Sequence, residues 1–426
     1  MKLWEKGIPT DKKIEHFTVG NDRELDVLLA KYDAIGNIGH AKMLAKVGLI
    51  TEEEKNQLLQ GLEEILVEIE AGDFVIEDSF EDVHSKIEYV LTQKVGDAGK
   101  KIHTARSRND QVLVDVHLYL KAEIQQIKEL VRELFDLLMS KAETHKDVLL
   151  PGYTHLQVAM PSSFGLWFSA YAESLIDDVT LLNAALKVVD QNPLGSAAGY
   201  GSSFPIDRTE TTQNLGFATM KYNVVAAQMS RGKAEKTTSF AMASVAATLS
   251  KLAMDVCLYL SQNFDFMSLP GHLTTGSSIM PHKKNPDIFE LIRGKSNKIQ
   301  ALPYELTLIT NNLPSGYHRE MQLLKEGLFP AIENLRACLS MAHYAIKDIT
   351  VKENIFDDPK YKYSFTVDTL NEMVVAGVPF RDAYKIVAEQ IENGTFTIPA
   401  ETKHTHEGSI NNLCLDQIQQ KMKNNL

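Results

Sequence analysis

Cysteine is nearly absent from this chain. Three residues in 426, Cys257, Cys338 and Cys414, are odd in number, far apart and without metal-ligand spacing. That excludes a disulfide-stapled scaffold, and it fits inert thiols in a reducing, cytoplasmic compartment. Positive charge is also short. Lys and Arg number 44 against 56 Asp and Glu, for a net charge of −12, which argues against nucleic acid or an anionic membrane as the main partner. A local cationic patch can still receive an anionic substrate. No apolar run approaches the roughly 20 residues that span a bilayer. The opening Met1-Lys2-Leu3-Trp4-Glu5-Lys6-Gly7 has no apolar stretch behind its charges, so no leader is expected. Internal repeats and low-complexity linkers are missing too.

The remaining composition is that of a globular protein, 44% hydrophobic and 23% charged, at a length that calls for two or three domains. Its pattern is helical. From Val112 to Leu150 there is neither glycine nor proline, and Val116, Leu120, Ile124, Ile127, Val131, Leu134 and Leu138 recur in steps of three or four. This spacing predicts one long helix with an apolar seam for its neighbours. Ser162 to Val189, Ala234 to Phe264, Asp287 to Leu302 and Glu326 to Ile346 repeat the pattern; the second is rich in small residues, and Pro303 is expected to kink or end the third.

Shorter helices are expected from Asp22 to Val47, interrupted near Gly36 and Gly39, from Thr51 to Ile69 behind a capping box, and from Asp78 to Val90, where His84 and Glu88 share a face. Beyond Lys352 two further short helices lead to Lys403-His404-Thr405-His406-Glu407, read as an exposed loop rather than a metal site. Five long helices without strand-patterned partners predict an all-α, three-domain protein: an N-terminal helical domain over 1–105, a central long-helix bundle over 106–350 and a small helical domain over 351–426. Helices of this kind need more neighbours than one chain supplies, so a homo-oligomer is expected.

Three polar stretches break the helical pattern. The longest, Thr274 to Pro286, holds serines, threonines and the pair Lys283-Lys284, with Gly271 and Gly276 as hinges. Its end, Asn285-Pro286-Asp287, also suits a helix start with Asn285 as the cap. The others are Ser107-Arg108-Asn109-Asp110-Gln111 and Gly152-Tyr153-Thr154-His155-Leu156-Gln157, and a single site built from all three is expected.

These strings carry a resemblance. Gly276-Ser277-Ser278-Ile279-Met280-Pro281-His282-Lys283-Lys284-Asn285-Pro286 resembles the signature of the fumarase/aspartase superfamily. Ser107 to Gln111, Pro151 to Gln157 and Leu291-Ile292-Arg293-Gly294-Lys295 resemble the argininosuccinate lyases, over about Glu81 to Lys325. The resemblance implies a three-domain fumarase/aspartase-like fold, a homotetramer with shared active sites, neither metal nor organic cofactor, and reversible elimination of fumarate from argininosuccinate to leave arginine. Two other readings share much of the pattern. An adenylosuccinate lyase would show a phosphate-binding set in place of Ser107 to Gln111 and Tyr317 to Lys325. A catalytically silent structural relative is opposed by the intact Ser277, Lys283, Asn285, His155 and Glu290.

Eliminating an amine from a succinyl carbon needs a base beside a carboxylate, cations for the aci-carboxylate that forms, and an acid for the leaving nitrogen. The resemblance makes Ser277 the base, gives Lys283 and Asn285 the carboxylate that gathers charge, and makes His155 the acid or its relay, oriented by Glu290. A serine hydroxyl is too weak an acid unless its alkoxide is stabilised, and loop amides with Lys283 are the groups to do it. Ser107, Asn109 and Thr154, with Arg108 beside them, match positions that hold the succinyl carboxylates. Tyr317, Gln322 and Lys325 match those around the arginine moiety, and His84 adds a contact from the acidic helix. The sequence departs from the family at Ala105, Val158 and Met160, at Leu323 and Leu324, where acids are usual, and at Met229-Ser230-Arg231-Gly232-Lys233, where an acid is lost near the arginine end.

Overall fold

The computed structural model of the chain describes residues 11–400 and 403–426; the opening segment read above for the absence of a leader lies outside them. Helices α1 (Lys12–Val19), α2 (Asp22–Asp26), α3 (Ala30–Lys46), α4 (Glu52–Glu70) and α5 (Val83–Val95) precede the longest, α6 (Arg108–Thr144). A hairpin of β1 (Leu149–Thr154) and β2 (Gln157–Ser163) leads into α7 (Phe164–Val189). Two short helices, α8 (Arg208–Asn214) and α9 (Val224–Gln228), come before the long α10 (Lys233–Tyr259), α11 (Asp287–Thr310) and α12 (Leu324–Lys347). The chain closes with α13 (Thr366–Val375), α14 (Phe380–Glu392) and α15 (Leu415–Lys423). Beyond the hairpin, strands among the described residues are limited to two-residue pairs, so the expected all-α class holds.

Packing groups the chain into two compact units. One takes Met1–Lys128, Leu181–Ser244 and Lys298–Leu335; the other takes Glu129–Thr180, Val245–Asn297 and Arg336–Leu426. Each boundary falls inside a long helix, so α6, α7, α10, α11 and α12 each give one stretch to either unit.

The seam read from the sequence is the buried face of α6: Val116 is 1% exposed and Leu120, Ile124, Ile127, Val131, Leu134 and Leu138 are at 0%. Seven such side chains contribute on the order of 10–20 kcal/mol of transfer free energy as an upper bound. Local signals set the helix starts. Thr51 and Glu54 form the reciprocal capping box of α4, Thr51 Oγ1 accepting from Glu54 N at 3.2 Å and Glu54 Oε2 from Thr51 N at 3.0 Å. α5 starts later than Asp78 because Asp82 is its cap, accepting from Ser85 N at 2.8 Å.

Glycine and proline were the misleading signals. α3 runs unbroken through Gly36 and Gly39, and the interruption falls at the 3-10 turn Val27–Leu29. A Cβ on Gly39 would lie 2.5 Å from Leu215 Cδ2, and one on Gly36 3.3 Å from Asp115 Oδ1, so both glycines permit close approach rather than a bend. Pro303 does not end α11, which continues to Thr310. Flanking Leu302 and Leu306 are buried, and that packing outweighs the roughly 3 kcal/mol that an internal proline costs.

One stretch corrects the reading that no apolar run reaches membrane length. α10 has an 18-residue window of mean hydropathy 1.4, with 44% of it buried inside the chain. Met242, Val245, Leu249, Leu252 and Val256 form a stripe at most 2% exposed, the mark of a core-facing helix. The run at Lys403 to Glu407 is exposed, as expected, except at His404, which is half-buried and whose Nε2 pairs with the Asp368 carboxylate at 2.5 Å.

Candidate active site

In the first unit a charged cavity of about 250 Å³ opens beside the N-terminus of α6. Six expected substrate contacts line it: His84, Arg108, Asn109, Tyr317, Gln322 and Lys325. Ser107 lies next to Arg108 and shapes the turn, its Oγ accepting from Asn109 N at 3.2 Å. Asp110 anchors the turn, accepting from Ser107 N at 2.9 Å and from Gly195 and Ala197 N at 3.0 and 2.9 Å. The first turn of α6 therefore presents Arg108 and Asn109 in a fixed frame. Arg108 Nη1 meets Asp82 at 2.6 Å and its Nη2 donates to Ser85 Oγ at 3.0 Å.

Lys325 is no surface residue, as it would be without the resemblance; it is 4% exposed. Its ammonium lies 2.6 Å from Asp22 and 2.5 Å from Asp26. Burial opposes this charge, and the two carboxylates overcome it and hold the amine above its ordinary range. Asp22 is pushed up to about 6, by burial first and against the pull of Lys325, with the charge of Asp26 adding to the rise. Gln322 Nε2 donates to Thr18 O at 3.1 Å and Val19 O at 3.0 Å, tying the end of α1 to the rim. The acid missing after Arg231 is supplied one turn on: Glu235 Oε1 lies 2.7 Å from Arg231 Nε. Gly232 has φ +80°, and a Cβ there would lie 2.7 Å from Thr310 Cγ2, so an acid at that position does not fit.

The second unit holds the other set. Thr275 and Asn285 bridge backbone to backbone, Asn285 N donating to Thr275 O at 2.8 Å, which closes the loop between them. The Asn285 amide turns back to Thr275 Oγ1 and Gly276 O, 3.3 Å each, and α11 begins only at Asp287. Ser277 Oγ accepts from Met280 N at 3.2 Å and Ile279 N at 3.4 Å. Two backbone N–H groups thus converge on this hydroxyl oxygen, an arrangement able to stabilise negative charge on it. Ile279 in this loop is 82% exposed.

His155 stands in a different setting from the helix end of the bland reading. It occupies the two-residue turn of the β1–β2 hairpin, with φ +54° at His155 and +58° at Leu156. Paired left-handed residues are the geometry of a type I′ turn, which favours Asn and Gly; a histidine and a leucine there are held at a cost. Thr154 is the last residue of β1. Among the described residues the side chains of His155, Lys283 and Glu290 have no hydrogen-bond or ion-pair partner, so the Glu290–His155 contact implied by the resemblance is not made here.

Comparison with known proteins decides the family. The family model described as "Lyase" matches residues 5–301. An argininosuccinate lyase of Phocaeicola vulgatus is 57% identical over 422 residues, 99% of this chain and 95% of its own. The chain belongs to the argininosuccinate lyase family. A member from Thermotoga neapolitana is 39% identical over 91% of this chain and 98% of its own. In fold the chain is similar to an EDDS lyase in complex with formate (TM-score 0.79, 21% identity, 98% of this chain and 91% of the other) and to a class II fumarase from Schistosoma mansoni (0.75, 17%, 92% and 94%).

Within the argininosuccinate lyase family pattern, the cavity residues that the motifs missed are mainly acids. Asp22 and Asp26 stand one helical turn apart on α2, a spacing that puts both on one face, and this was the available signal. Leu324 is core and Leu323 exposed; the carboxylates beside Lys325 come from α2 instead of from positions 323 and 324.

Proposed function

We propose that the protein cleaves argininosuccinate reversibly into arginine and fumarate, as a carbon–nitrogen lyase. The observation that carries this reading is the 57% identity to an argininosuccinate lyase over 99% of the chain. The chemistry on the page agrees. A cavity with Lys325 and Arg108 beside Asp22, Asp26 and Asp82 suits a zwitterionic amino-acid head and a guanidinium. Ser277 takes the proton next to the succinyl carboxylate, its oxygen supported by the Ile279 and Met280 amides. Lys283 and Asn285 hold the aci-carboxylate, and His155, assisted by Glu290, protonates the leaving nitrogen. Ser107, Asn109 and Thr154 bind the succinyl carboxylates; Tyr317, Gln322 and Lys325 bind the arginine moiety.

The assembly is read as a cytoplasmic homotetramer whose sites draw on several subunits, within which the sequence segments 1–105, 106–350 and 351–426 act as domains. Exposed apolar side chains on the long helices support it: Phe240 and Met254 on α10, Tyr304 and Leu308 on α11, and Met341 and Tyr344 on α12. The side chains of His155 and Lys283, without a partner among the described residues, are groups that a second subunit or the substrate completes.

Incubation with argininosuccinate should release fumarate, followed by its ultraviolet absorbance, and incubation with adenylosuccinate should not; the reverse result rejects the substrate. His155→Asn should lower kcat by about 10²-fold with KM little changed, since asparagine tolerates the left-handed turn. A rise in KM alone would remove the acid role.

A further inference from the structure

Behind the cavity, and used by none of the steps above, lies a buried acid pair. Asp33 on α3 and Asp115 on α6 are 1% and 0% exposed, and with His84 on α5 their ligating atoms lie within 4.8 Å of one another. The two carboxylates are not equivalent. Asp33 Oδ1 accepts from His84 Nδ1 and from Gln111 Nε2, both at 2.7 Å, and its Oδ2 accepts from Asn37 Nδ2 at 2.9 Å. Among the described residues no N–H or O–H group donates to either Asp115 oxygen, and Oδ2 is 3.5 Å from His84 Nδ1. A buried carboxylate with three donors keeps its charge, whereas one with none, beside another carboxylate, holds a proton.

The electrostatics follow that division. Burial raises Asp115 well above the usual carboxylate range, and the charge of Asp33 and a hydrogen bond from the protonated Asp115 carboxyl to it raise it further. For Asp33 burial is outweighed by the imidazole of His84, helped by Arg106 and Gln111, and it stays below that range. Burial would lower His84, but Asp33 reverses the sign and holds it above its ordinary value. The other groups facing this imidazole are Asp26 from α2, Asp82 on its own helix, and His103 from the segment before α6. These donors also form a set that a divalent cation would accept; Asp33, however, has both oxygens occupied by N–H groups.

We propose that Asp33 is a positioning residue for His84: its carboxylate accepts from Nδ1–H and fixes the ring, leaving Nε2 for an anionic group of the substrate in the cavity. Asp115 is its neutral neighbour and lies outside the binding machinery. The role rests on the proposed reaction, so the test has one arm that does not require turnover.

In Asp33→Asn, KM for argininosuccinate should rise about 10-fold near neutral pH, with kcat less affected and KM recovering as the pH is lowered. Asp115→Asn replaces a protonated carboxyl with a neutral isostere, and both constants should stay within about 2-fold of wild type, a change worth only a few tenths of a kcal/mol. The activity-free arm is an NMR titration of the His84 imidazole, which should ionise at lower pH in Asp33→Asn and as in wild type in Asp115→Asn. Equal damage from both substitutions, or an unshifted His84 titration in Asp33→Asn, overturns the proposal. A protein that shows the titration shift but no turnover of argininosuccinate retains the dyad and loses the substrate instead. Equal damage together with wild-type activity abolished by a chelator and restored by a divalent metal assigns the three side chains to a cation.

Discussion

Alanine at Ser277 is expected to abolish turnover, by a factor on the order of 10³ or more, while leaving the protein folded and able to bind substrate. The side chain is half-buried and among the described residues it bonds only to the two N–H groups within its own loop, so its loss should cost less than about 1 kcal/mol of stability. What it removes is the oxygen toward which the loop amides are directed. The neighbouring Ser278 is exposed, and Ser278→Ala should retain most of the activity, which separates the two hydroxyls. Fumarate release, circular dichroism and equilibrium binding of argininosuccinate give the three readouts. Turnover at the wild-type rate in Ser277→Ala removes this serine from the chemistry and, with it, the assignment of the loop as the source of the base.

The sequence made the long helices legible because their signal is repeated. The seam from Val116 to Leu138 places seven residues on one face, and no single misreading can hide it. Single residues were read less well. Gly36 and Gly39 carry a general preference for breaks, and only the neighbouring Leu215 and Asp115, far away in sequence, show that they serve packing. Pro303 does not end α11 for a similar reason, local preference losing to tertiary burial. The polar strings led to Arg108 and Asn109 at the cavity and to the loop between Thr275 and Asn285, yet they did not reveal the hairpin that carries His155, since Thr154-His155-Leu156-Gln157 has none of the usual turn residues. Asp22 and Asp26 were overlooked because acids on a short N-terminal helix read as solvated, and their partner Lys325 lies about 300 positions along the chain.

That partnership sets up the other large effect. Replacing Lys325 by methionine keeps most of the side-chain volume and removes the ammonium shared by Asp22 and Asp26, leaving two carboxylates, 15% and 3% exposed, without their cation. Removing one partner of a buried ion pair typically costs about 3–5 kcal/mol, and here two acids are stranded at once. The loss should depend on pH in a definite direction. Asp22 already stands at about 6 in the folded protein, above its ordinary 3.8; without Lys325, which lowers it, it must rise further. A folded-state value above the unfolded one means that folding takes up a proton, so the associated stability is present below about 3.8 and is lost as the pH climbs through the raised value. Lys325→Met should therefore be closest to wild type in acid and fall furthest behind above neutrality, as measured by denaturant unfolding across that range. Adding Asp26→Asn should restore part of the stability at high pH by removing one of the two repelling charges, without restoring affinity for argininosuccinate. A single variant equally destabilised at every pH would mean that the methionine acts through packing alone, and that the cavity's charge is not organised around Lys325.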